Sequence, residues 1–318
     1  MRITVAGAGA MGCRFGGLLS EAGHDVLLLD GWPEHVGAIN AAGLKITDER
    51  GTRTVPVTAK LFPADDDPAD LVIVFAKATA TATVAAAAAA AIGPRTVVLT
   101  LQNGLGNIEA LLAHVPRDRL LAGTTTLGTE LLGPGRIRAL GSGETVLGAL
   151  GSSSSYPERT MVTLRDAGLP SRVTDDALGA VWAKVAFNCV MNSLCAIAAI
   201  PVSALARYDG FDALAGSILD EIAVVAAAEG VTVDQAAILA LMKAQFSPSA
   251  SGDHLASTLQ DLMNGRPTEI AHLNGAIASR AAARGLAAPV NALITQLFGL
   301  LEATWPHRVH GLGNTLTP

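Results

Sequence analysis

The first half of the chain alternates short apolar runs with longer segments whose apolar residues have helical spacing. Strands are predicted at 2–7 (RITVAG), 24–30 (HDVLLLD), 71–76 (LVIVFA) and 96–101 (TVVLTL), and helices at 9–23, 33–43, 77–92 and 107–115. Fully apolar strands that are separated by helices are typical of a parallel sheet covered on both faces. The pattern therefore predicts an N-terminal α/β domain.

Shorter strand-like pieces interrupt and follow this pattern. Residues 44–47 and 52–59 predict a hairpin around Gly51. From about residue 120 to 150, glycines divide the chain into short pieces, which we expect to extend the sheet with antiparallel strands. A last helix and strand end near residue 175.

The chain after Asp176 is helical almost throughout. The predicted helices are 177–198, 202–206, 211–229, 233–245, 254–264, 268–284 and 289–301. We therefore predict an α/β domain over residues 1–175, an all-α domain over residues 176–318, and a cleft between them.

Net charge, cysteine spacing and apolar windows limit the partners and the location that we expect for this chain. The 318 residues have a net charge of −6 and no basic run, which argues against nucleic acid and anionic membranes as partners. Cys13, Cys189 and Cys195 lack metal-type spacing and are typical of buried thiols in a reducing compartment. The longest apolar window, 185–206, is interrupted by two asparagines and Pro201 and makes a poor bilayer span. We predict a cytoplasmic protein without a bound metal.

A glycine-rich turn follows the first strand and opens the first helix. It consists of Gly7, Ala8, Gly9, Ala10, Met11 and Gly12 and fits the pattern G-x-G-x-x-G. The first glycine permits a tight turn, the second lets a pyrophosphate approach the backbone, and the third lets helix and strand pack closely. The helix N-terminus adds free N–H groups and partial positive charge. This context predicts a Rossmann-type dinucleotide site.

Asp30 ends the second strand, 18 residues beyond Gly12. A carboxylate there can accept hydrogen bonds from the adenosine ribose and repels a 2′-phosphate. No Lys or Arg follows until Lys45. We therefore favour NAD over NADP. The alternatives are that Asp30 is only a solvated strand end, or that Arg14 or another distant base binds the phosphate.

Two further polar residues follow strands directly. Lys77 comes after the strand at 71–76, and Asn103 after the strand at 96–101. Ligands of open α/β sheets lie beyond the carboxyl ends of the strands. Lys77 therefore suits the phosphates or ribose of the cofactor, or is an exposed lysine that opens a helix. Asn103 suits a ribose, a carboxamide or a substrate oxygen.

The apolar stretch WAKVAFNCVMNSLCAI (182–197) contains Lys184, Asn188 and Asn192. Their spacing of i, i+4 and i+8 places them on one side of a helix. A buried ammonium is unstable unless it is paired or its pKa falls. This polar line therefore faces a wet cleft, or it forms a satisfied structural network.

Five segments together resemble the ketopantoate reductase (2-dehydropantoate 2-reductase) family. They are GAGAMG at 7–12, LQNGLGNIE at 101–109, GTTTLGTELLGPG at 123–135, VWAKVAFNCVMN at 181–192 and STLQDLMNGRPTEIAHLNG at 257–275. The resemblance implies hydride transfer from a nicotinamide to the ketone of a 2-oxo acid, most simply 2-dehydropantoate. An ammonium near that ketone stabilises the developing negative charge and supplies the proton.

The resemblance also implies roles for single residues. Lys184 is the general acid, and Glu269 lies by the nicotinamide ribose and the substrate. Substrate is held by Asn188, Asn192 and Ser257, while Asn103 lies near the nicotinamide and Thr129 touches the cofactor through its backbone. Outside the resemblance, Glu269 can be read as an acidic residue in the first turn of a helix.

Several positions depart from the family pattern. Members typically use NADPH and often carry Arg just after the second strand, where this chain has Asp30-Gly31-Trp32. Leu127, Ala271 and Val202 also replace common family residues. Another ketone, an alcohol or an imine therefore remains an alternative substrate, and a non-catalytic dinucleotide sensor is an alternative of another class. The Ala- and Leu-rich C-terminal helices are core elements or the face of a homodimer.

Overall fold

The computed structural model describes residues 1–63, 68–151, 155–247 and 255–307. The chain divides into two compact units, Met1–Val181 and Trp182–Pro318. The strands of the described residues are β1 (Arg2–Ala6), β2 (Asp25–Asp30), β3 (Leu44–Asp48), β4 (Gly51–Val55), β5 (Thr58–Leu61), β6 (Leu71–Val74), β7 (Val97–Thr100), β8 (Leu120–Thr125), β9 (Gly128–Gly133), β10 (Arg136–Leu140), β11 (Thr145–Ala149) and β12 (Ser171–Val173).

The helices connect these strands and then form the second unit. They are α1 (Ala10–Glu21), α2 (Pro33–Ala42), α3 (Thr81–Ala87), α4 (Asn107–Leu112), α5 (Tyr156–Asp166), α6 (Ala177–Ala198), α7 (Phe211–Ala228), α8 (Gln235–Ala244), α9 (Ser257–Met263), α10 (Asn274–Ala282) and α11 (Pro289–Thr304).

An eight-stranded sheet forms the centre of the first unit, in the order β12-β11-β8-β7-β6-β1-β2-β5. All neighbours pair in parallel except β11 with β8. Alternate strand residues face opposite sides and pack under helices on both of them. One cluster includes Val5, Leu28, Ile73, Phe15 and Leu19, and the other includes Ala6, Leu29, Val74, Val84 and Leu111. The predicted α/β class is confirmed.

The expected antiparallel extension of the sheet is wrong in part. Strands β9 and β10 join β3 and β4 in a separate four-stranded sheet, in the order β4-β3-β10-β9. The predicted hairpin is also shorter than 52–59, since β4 ends at Val55 and β5 pairs in parallel with β2. Pro56 lacks an N–H and cannot continue a ladder. Alternation of polar and apolar residues identifies strands but does not select their partners.

Three predicted helices are wholly or partly 3₁₀ in the structure. The alanine-rich segment 77–92 forms α3 with a 3₁₀ turn on each side, at Ala78–Ala80 and Ala89–Ala91. Val202–Arg207 is a 3₁₀ helix. Within 268–284, a 3₁₀ turn at Ile270–His272 precedes α10. Tertiary contacts override the intrinsic preference of alanine for a regular helix.

The second unit is helical throughout the part that the structure describes, so its predicted all-α class is confirmed. Helix α6 is long and apolar enough to cross a membrane by length and composition alone. Within the protein, 61% of its most apolar window is buried, and core helices of soluble proteins meet the same criterion. Helix α6 therefore serves as a core element here.

Candidate active site

The backbone of the glycine turn has the three properties that a dinucleotide site requires. Gly7 has φ +99°, and a Cβ on it would lie 2.8 Å from the nitrogen of Ala76. A Cβ on Gly12 would overlap the carbonyl oxygen of Gly7, so helix and strand pack without space for a side chain. Around Gly9 the space is open, and no atom of the described residues lies within 4 Å of a Cβ placed there. Among the same residues, no side chain caps α1 at Gly9. The first-turn N–H groups can therefore bind a pyrophosphate.

Helix α2, which follows β2, is tied to this turn through its buried His35. The backbone N–H of Gly135 donates to His35 Nδ1 over 3.0 Å, so Nε2 carries the proton and donates to the Ala8 carbonyl over 2.9 Å. The ring of Trp32 stacks on His35, with centroids 5.4 Å apart and planes 7° apart. Asp30 Oδ1 accepts a bond of 2.9 Å from the Trp32 N–H. The structural role of His35 could not be predicted from the sequence, because its hydrogen-bond partners, Gly135 and Ala8, are distant from it along the chain.

Basic residues near β2 are arranged differently from the sequence expectation. Arg14 Nη1 donates to the carbonyls of Gly128 and Leu140, at 2.6 and 3.4 Å, so this guanidinium is anchored on the second sheet. Lys60 lies on β5, where it is the partner of Leu29 near the carboxyl end of β2. The position of Lys60 could not be predicted from the sequence, because only the pairing of β5 with β2 brings it beside the end of β2.

Asn103 lies in a polar network at the carboxyl ends of β6 and β7. Gln102 Nε2 donates to the Ala76 carbonyl over 2.8 Å and to the Thr81 hydroxyl over 2.7 Å. Thr81 in turn donates to Asn107, whose Nδ2 donates to the Asn103 carbonyl over 2.9 Å. The side-chain oxygen of Asn103 is buried and has no hydrogen-bond partner within the described chain. It is therefore suited to accept a bond from a ligand N–H or O–H.

The other two first-unit candidates differ in burial. Lys77 is exposed and precedes the 3₁₀ turn at Ala78–Ala80, where a helix opens as the sequence suggested. Thr129 lies on β9, next to the carbonyl that holds Arg14, and its hydroxyl is buried without a partner among the described residues. An unpaired buried hydroxyl, like the Asn103 oxygen, calls for a ligand or a water. These residues fit a nicotinamide dinucleotide.

In the second unit, Lys184 and Glu269 are brought together from distant parts of the sequence. Lys184 lies on α6 and is half-buried, and Glu269 directly precedes the 3₁₀ turn Ile270–His272. Burial lowers the pKa of Lys184 to about 8, while the attraction of the Glu269 carboxylate opposes this shift. A lysine with this pKa is mostly protonated at neutral pH and gives up its proton readily.

The remainder of the polar line continues along α6. Asn188 is 8% exposed, and Asn192 Nδ2 donates to the hydroxyl of Ser257 over 3.3 Å. Ser257 is exposed and begins α9. The structure thus brings together an ammonium, two amides, a hydroxyl and a carboxylate. Amide and hydroxyl groups can bind a carboxylate or hydroxyl of a ligand without adding charge.

The three cysteines, Cys13, Cys189 and Cys195, are free and buried, and burial raises the pKa of each thiol. Among the residues that the structure describes, no group of three or more His, Cys, Asp and Glu side chains is placed to hold a metal ion.

Two family models and many relatives match this chain. The model of ketopantoate reductase PanE/ApbA matches residues 3–152, and that of its C-terminal part matches residues 176–302. The 2-dehydropantoate 2-reductase of Lactococcus lactis subsp. lactis (strain IL1403) is 33% identical over 301 residues, which cover 93% of this chain and 96% of the relative. That of Halobacterium salinarum (strain ATCC 700922 / JCM 11081 / NRC-1) is 33% identical over 307 residues, covering 95% and 99%.

Solved structures of related enzymes are also similar to this chain. D-mandelate dehydrogenase in a ternary complex with NADH and anilino(oxo)acetate is similar with a TM-score of 0.92 and 32% identity, over 96% of this chain and all of that one (100%). A PanE/ApbA family ketopantoate reductase from Ralstonia eutropha JMP134 is similar with a TM-score of 0.86 and 34% identity, over 96% and 100%. The chain therefore belongs to the ketopantoate reductase family and is an NAD(P)-dependent oxidoreductase.

Proposed function

We propose that the protein reduces the ketone of a 2-oxo acid, 2-dehydropantoate or a close relative, and that Lys184 donates the proton. The observation that carries this proposal is the half-buried Lys184, whose pKa burial lowers to about 8, beside Glu269 on a polar line with Asn188 and Asn192. The nicotinamide, when bound, supplies the hydride. As negative charge develops on the ketone oxygen, the ammonium stabilises it and transfers a proton from Nζ.

The other polar residues of the second unit bind and orient the substrate in this proposal. Asn188, Asn192 and Ser257 hold its carboxylate and hydroxyl groups through hydrogen bonds. Glu269 favours the charged form of the Lys184 amine, because the attraction of its carboxylate opposes the lowering of that pKa by burial. It can also accept a bond from a hydroxyl of the substrate or the nicotinamide ribose.

The first unit supplies the cofactor residues of the proposal. The glycine turn, Gly7 to Gly12, binds the pyrophosphate, and Asp30 binds the adenosine ribose. Lys77, Asn103 and Thr129 complete this set, because the buried side-chain oxygens of the last two lack a partner among the described residues and can accept bonds from the cofactor.

Steady-state turnover tests the proposed function most directly. The reduction of 2-dehydropantoate is measured with NADH and with NADPH, beside a panel of other 2-oxo acids. Turnover of at least one member supports the proposal. Binding of dinucleotide without turnover of any panel member, or of any tested imine or alcohol, supports the non-catalytic sensor instead.

A second candidate substrate is a 2-oxo acid with an aryl group. It is favoured by the similarity to D-mandelate dehydrogenase, which was solved with NADH and anilino(oxo)acetate. The apolar Leu127 and Val202, each 7% exposed, stand where family members often carry polar residues. The panel therefore includes the 2-oxo acid that corresponds to mandelate. A kcat/KM above that for 2-dehydropantoate would select this candidate.

If Lys184 is the proton donor, kcat must decrease at alkaline pH. We expect kcat for reduction to be level below neutral pH and to fall roughly tenfold per pH unit above the pKa of Lys184, which burial lowers to about 8. The sign follows because only the ammonium form can donate. The profile is measured at saturating substrate and cofactor. A rate that stays constant up to pH 10 would contradict the assignment.

The cofactor preference is proposed to be NADH over NADPH. The Asp30 carboxylate is fixed by the Trp32 N–H, and Arg14 is held by two carbonyls. We expect Asp30→Ala to raise kcat/KM for NADPH relative to NADH about tenfold, because a like charge no longer opposes the 2′-phosphate. Asp25→Ala, at the other end of the same strand, is the matched control.

Lys60 tests the opposite case, since strand pairing places it beside β2, where a base can attract a 2′-phosphate. We expect Lys60→Ala to leave kcat/KM for NADH unchanged. A wild-type protein that prefers NADPH would overturn the proposal, and loss of that preference in Lys60→Ala would identify Lys60 as the base that binds the 2′-phosphate.

The remaining expectations stay predictions from the sequence. They are the domain boundary between residues 175 and 176, the cytoplasmic location, the absence of nucleic-acid and membrane partners, and a homodimer. The structure adds one observation for the last of these. Leu293 and Leu300 on α11 are 56% and 60% exposed, which leaves an apolar strip on this helix.

A further inference from the structure

The segment that carries Glu269 is anchored at its beginning by a carboxylate from α11. Glu302 Oε1 accepts the backbone N–H of Thr268 over 2.8 Å and the Thr268 hydroxyl over 2.6 Å. Thr268 is 6% exposed, whereas Glu302 is an exposed residue whose carboxylate reaches back to it. Hydrogen bonds to an ionised acceptor are stronger than neutral ones. The residue directly before Glu269 is therefore fixed by two charge-assisted bonds.

The same segment is anchored at its end by Asn274, which is fully buried. Its Oδ1 accepts the hydroxyl of Ser193 over 2.7 Å, and its Nδ2 donates to the carbonyl of Cys189 over 3.2 Å. Both partners lie on α6, the helix that carries Lys184. Asn274 thus joins the start of α10 directly to the lysine helix.

A second set of contacts fixes Asn274 itself. Its Nδ2 also donates to Asn291 Oδ1 over 2.9 Å, and Asn291 Nδ2 donates to Glu221 over 2.7 Å. Glu221 accepts the backbone N–H groups of Val290 and Asn291 as well, at 2.8 and 2.9 Å. This network is satisfied at each step, and fully satisfied buried networks rigidify the residues that they join.

Resting on the proposed function, we propose that Glu302 and Asn274 are positioning residues that hold the Glu269 carboxylate beside the Lys184 ammonium. Glu269 lies one residue after the first anchor and five residues before the second. Between the anchors lies a short 3₁₀ turn, Ile270–His272, which has poorer hydrogen-bond geometry than an α-helix. Burial of Ile270 and Leu273 also holds this segment, while the hydrogen bonds at its two ends fix the backbone on each side of Glu269. Loss of an anchor would let the carboxylate move away from Lys184.

The predicted effect has a definite sign. Burial lowers the pKa of Lys184 to about 8, and this value already includes the opposing attraction of the Glu269 carboxylate. If the carboxylate moves away, the pKa of Lys184 falls further. For Glu302→Ala we expect kcat to drop about threefold at pH 8.5 and to stay level at pH 6.5. For Ser193→Ala, which removes a bond to the second anchor, we expect a change in the same direction.

A second readout does not depend on turnover. The unprotonated amine reacts with acylating reagents, so the acetylation rate of Lys184, followed by mass spectrometry of its peptide, reports its protonation. We expect this rate at pH 7 to rise about threefold in Glu302→Ala. Should the wild-type protein reduce no 2-oxo acid, the proposed function would fail, while the acetylation rate would still decide whether the anchors act on Lys184.

Two control variants separate positioning from other effects. Glu302→Gln removes the same charge but keeps an oxygen that can accept the Thr268 bonds, so we expect nearly wild-type behaviour. Asp234→Ala removes a carboxylate that caps α8 through the Ala237 N–H, so it matches the loss of charge and stability elsewhere in this unit. The proposal is overturned if Glu302→Gln or Asp234→Ala shifts both readouts as much as Glu302→Ala, or if Glu302→Ala and Ser193→Ala shift neither.

Discussion

Replacing Lys184 by alanine is expected to lower kcat for reduction of the 2-oxo acid by about two to four orders of magnitude. Hydride transfer to a ketone places negative charge on its oxygen, and in this protein the ammonium of Lys184 is the group proposed to neutralise it. Because the residues proposed to bind the pyrophosphate and the adenosine ribose lie in the first unit, we expect the Kd of NADH, measured by quenching of protein fluorescence, to change less than about twofold. The variant should also lose the alkaline limb that begins near pH 8.

Two further substitutions make the lysine test specific. Lys184→Arg keeps the positive charge but cannot give up its proton, because the pKa of arginine exceeds about 12. We expect its kcat to lie between that of the alanine variant and the wild type. Lys243→Ala is the matched control, since Lys243 is exposed and pairs with Asp212 over 2.6 Å on the same unit. A Lys184→Ala variant that keeps more than a tenth of the wild-type kcat would remove this lysine from the proton-transfer step.

The parts of the fold that the sequence predicts are those governed by neighbouring residues. The strand β1, the glycine turn and helix α1 follow one another within 20 residues, and each depends on local spacing and backbone freedom. The same holds for α6, whose bounds agree with the prediction at 177–198. Local rules of periodicity and turn chemistry are sufficient for such elements.

What could not be predicted depends on partners that are distant along the chain. The second sheet joins β3 with β10 across about 90 residues, and β5 brings Lys60 beside β2. The site has the same limit: the spacing of Lys184, Asn188 and Asn192 follows from a helix, but their closeness to Glu269 and Ser257 entered only through the family resemblance. The contacts of Thr268, Asn274 and His35 left no periodic signal at all, since each is a hydrogen bond to a different segment.

The glycine turn supplies the second large effect, on cofactor binding. We expect Gly9→Val to raise the Kd of NADH about a hundredfold or more while the fold stays intact. Gly9 has φ −64° and ψ −162°, an extended conformation that does not require glycine, and in the part of the chain that the structure describes no atom lies within 4 Å of a Cβ placed there. A valine side chain would therefore occupy the open space above the first N–H groups of α1, where the pyrophosphate is proposed to lie.

Gly12→Ala provides the contrast that makes this result interpretable. Its Cβ would overlap the carbonyl oxygen of Gly7, so the helix must shift, and overpacking of this kind costs about 1–3 kcal/mol of unfolding free energy. We expect this variant to show a lower Tm, and Gly9→Val to match the wild type in Tm without cofactor but to lose the rise in Tm that NADH produces. If Gly9→Val binds NADH as tightly as the wild type does, the dinucleotide lies elsewhere. The open backbone at Gly9 would then need another explanation than access for a pyrophosphate.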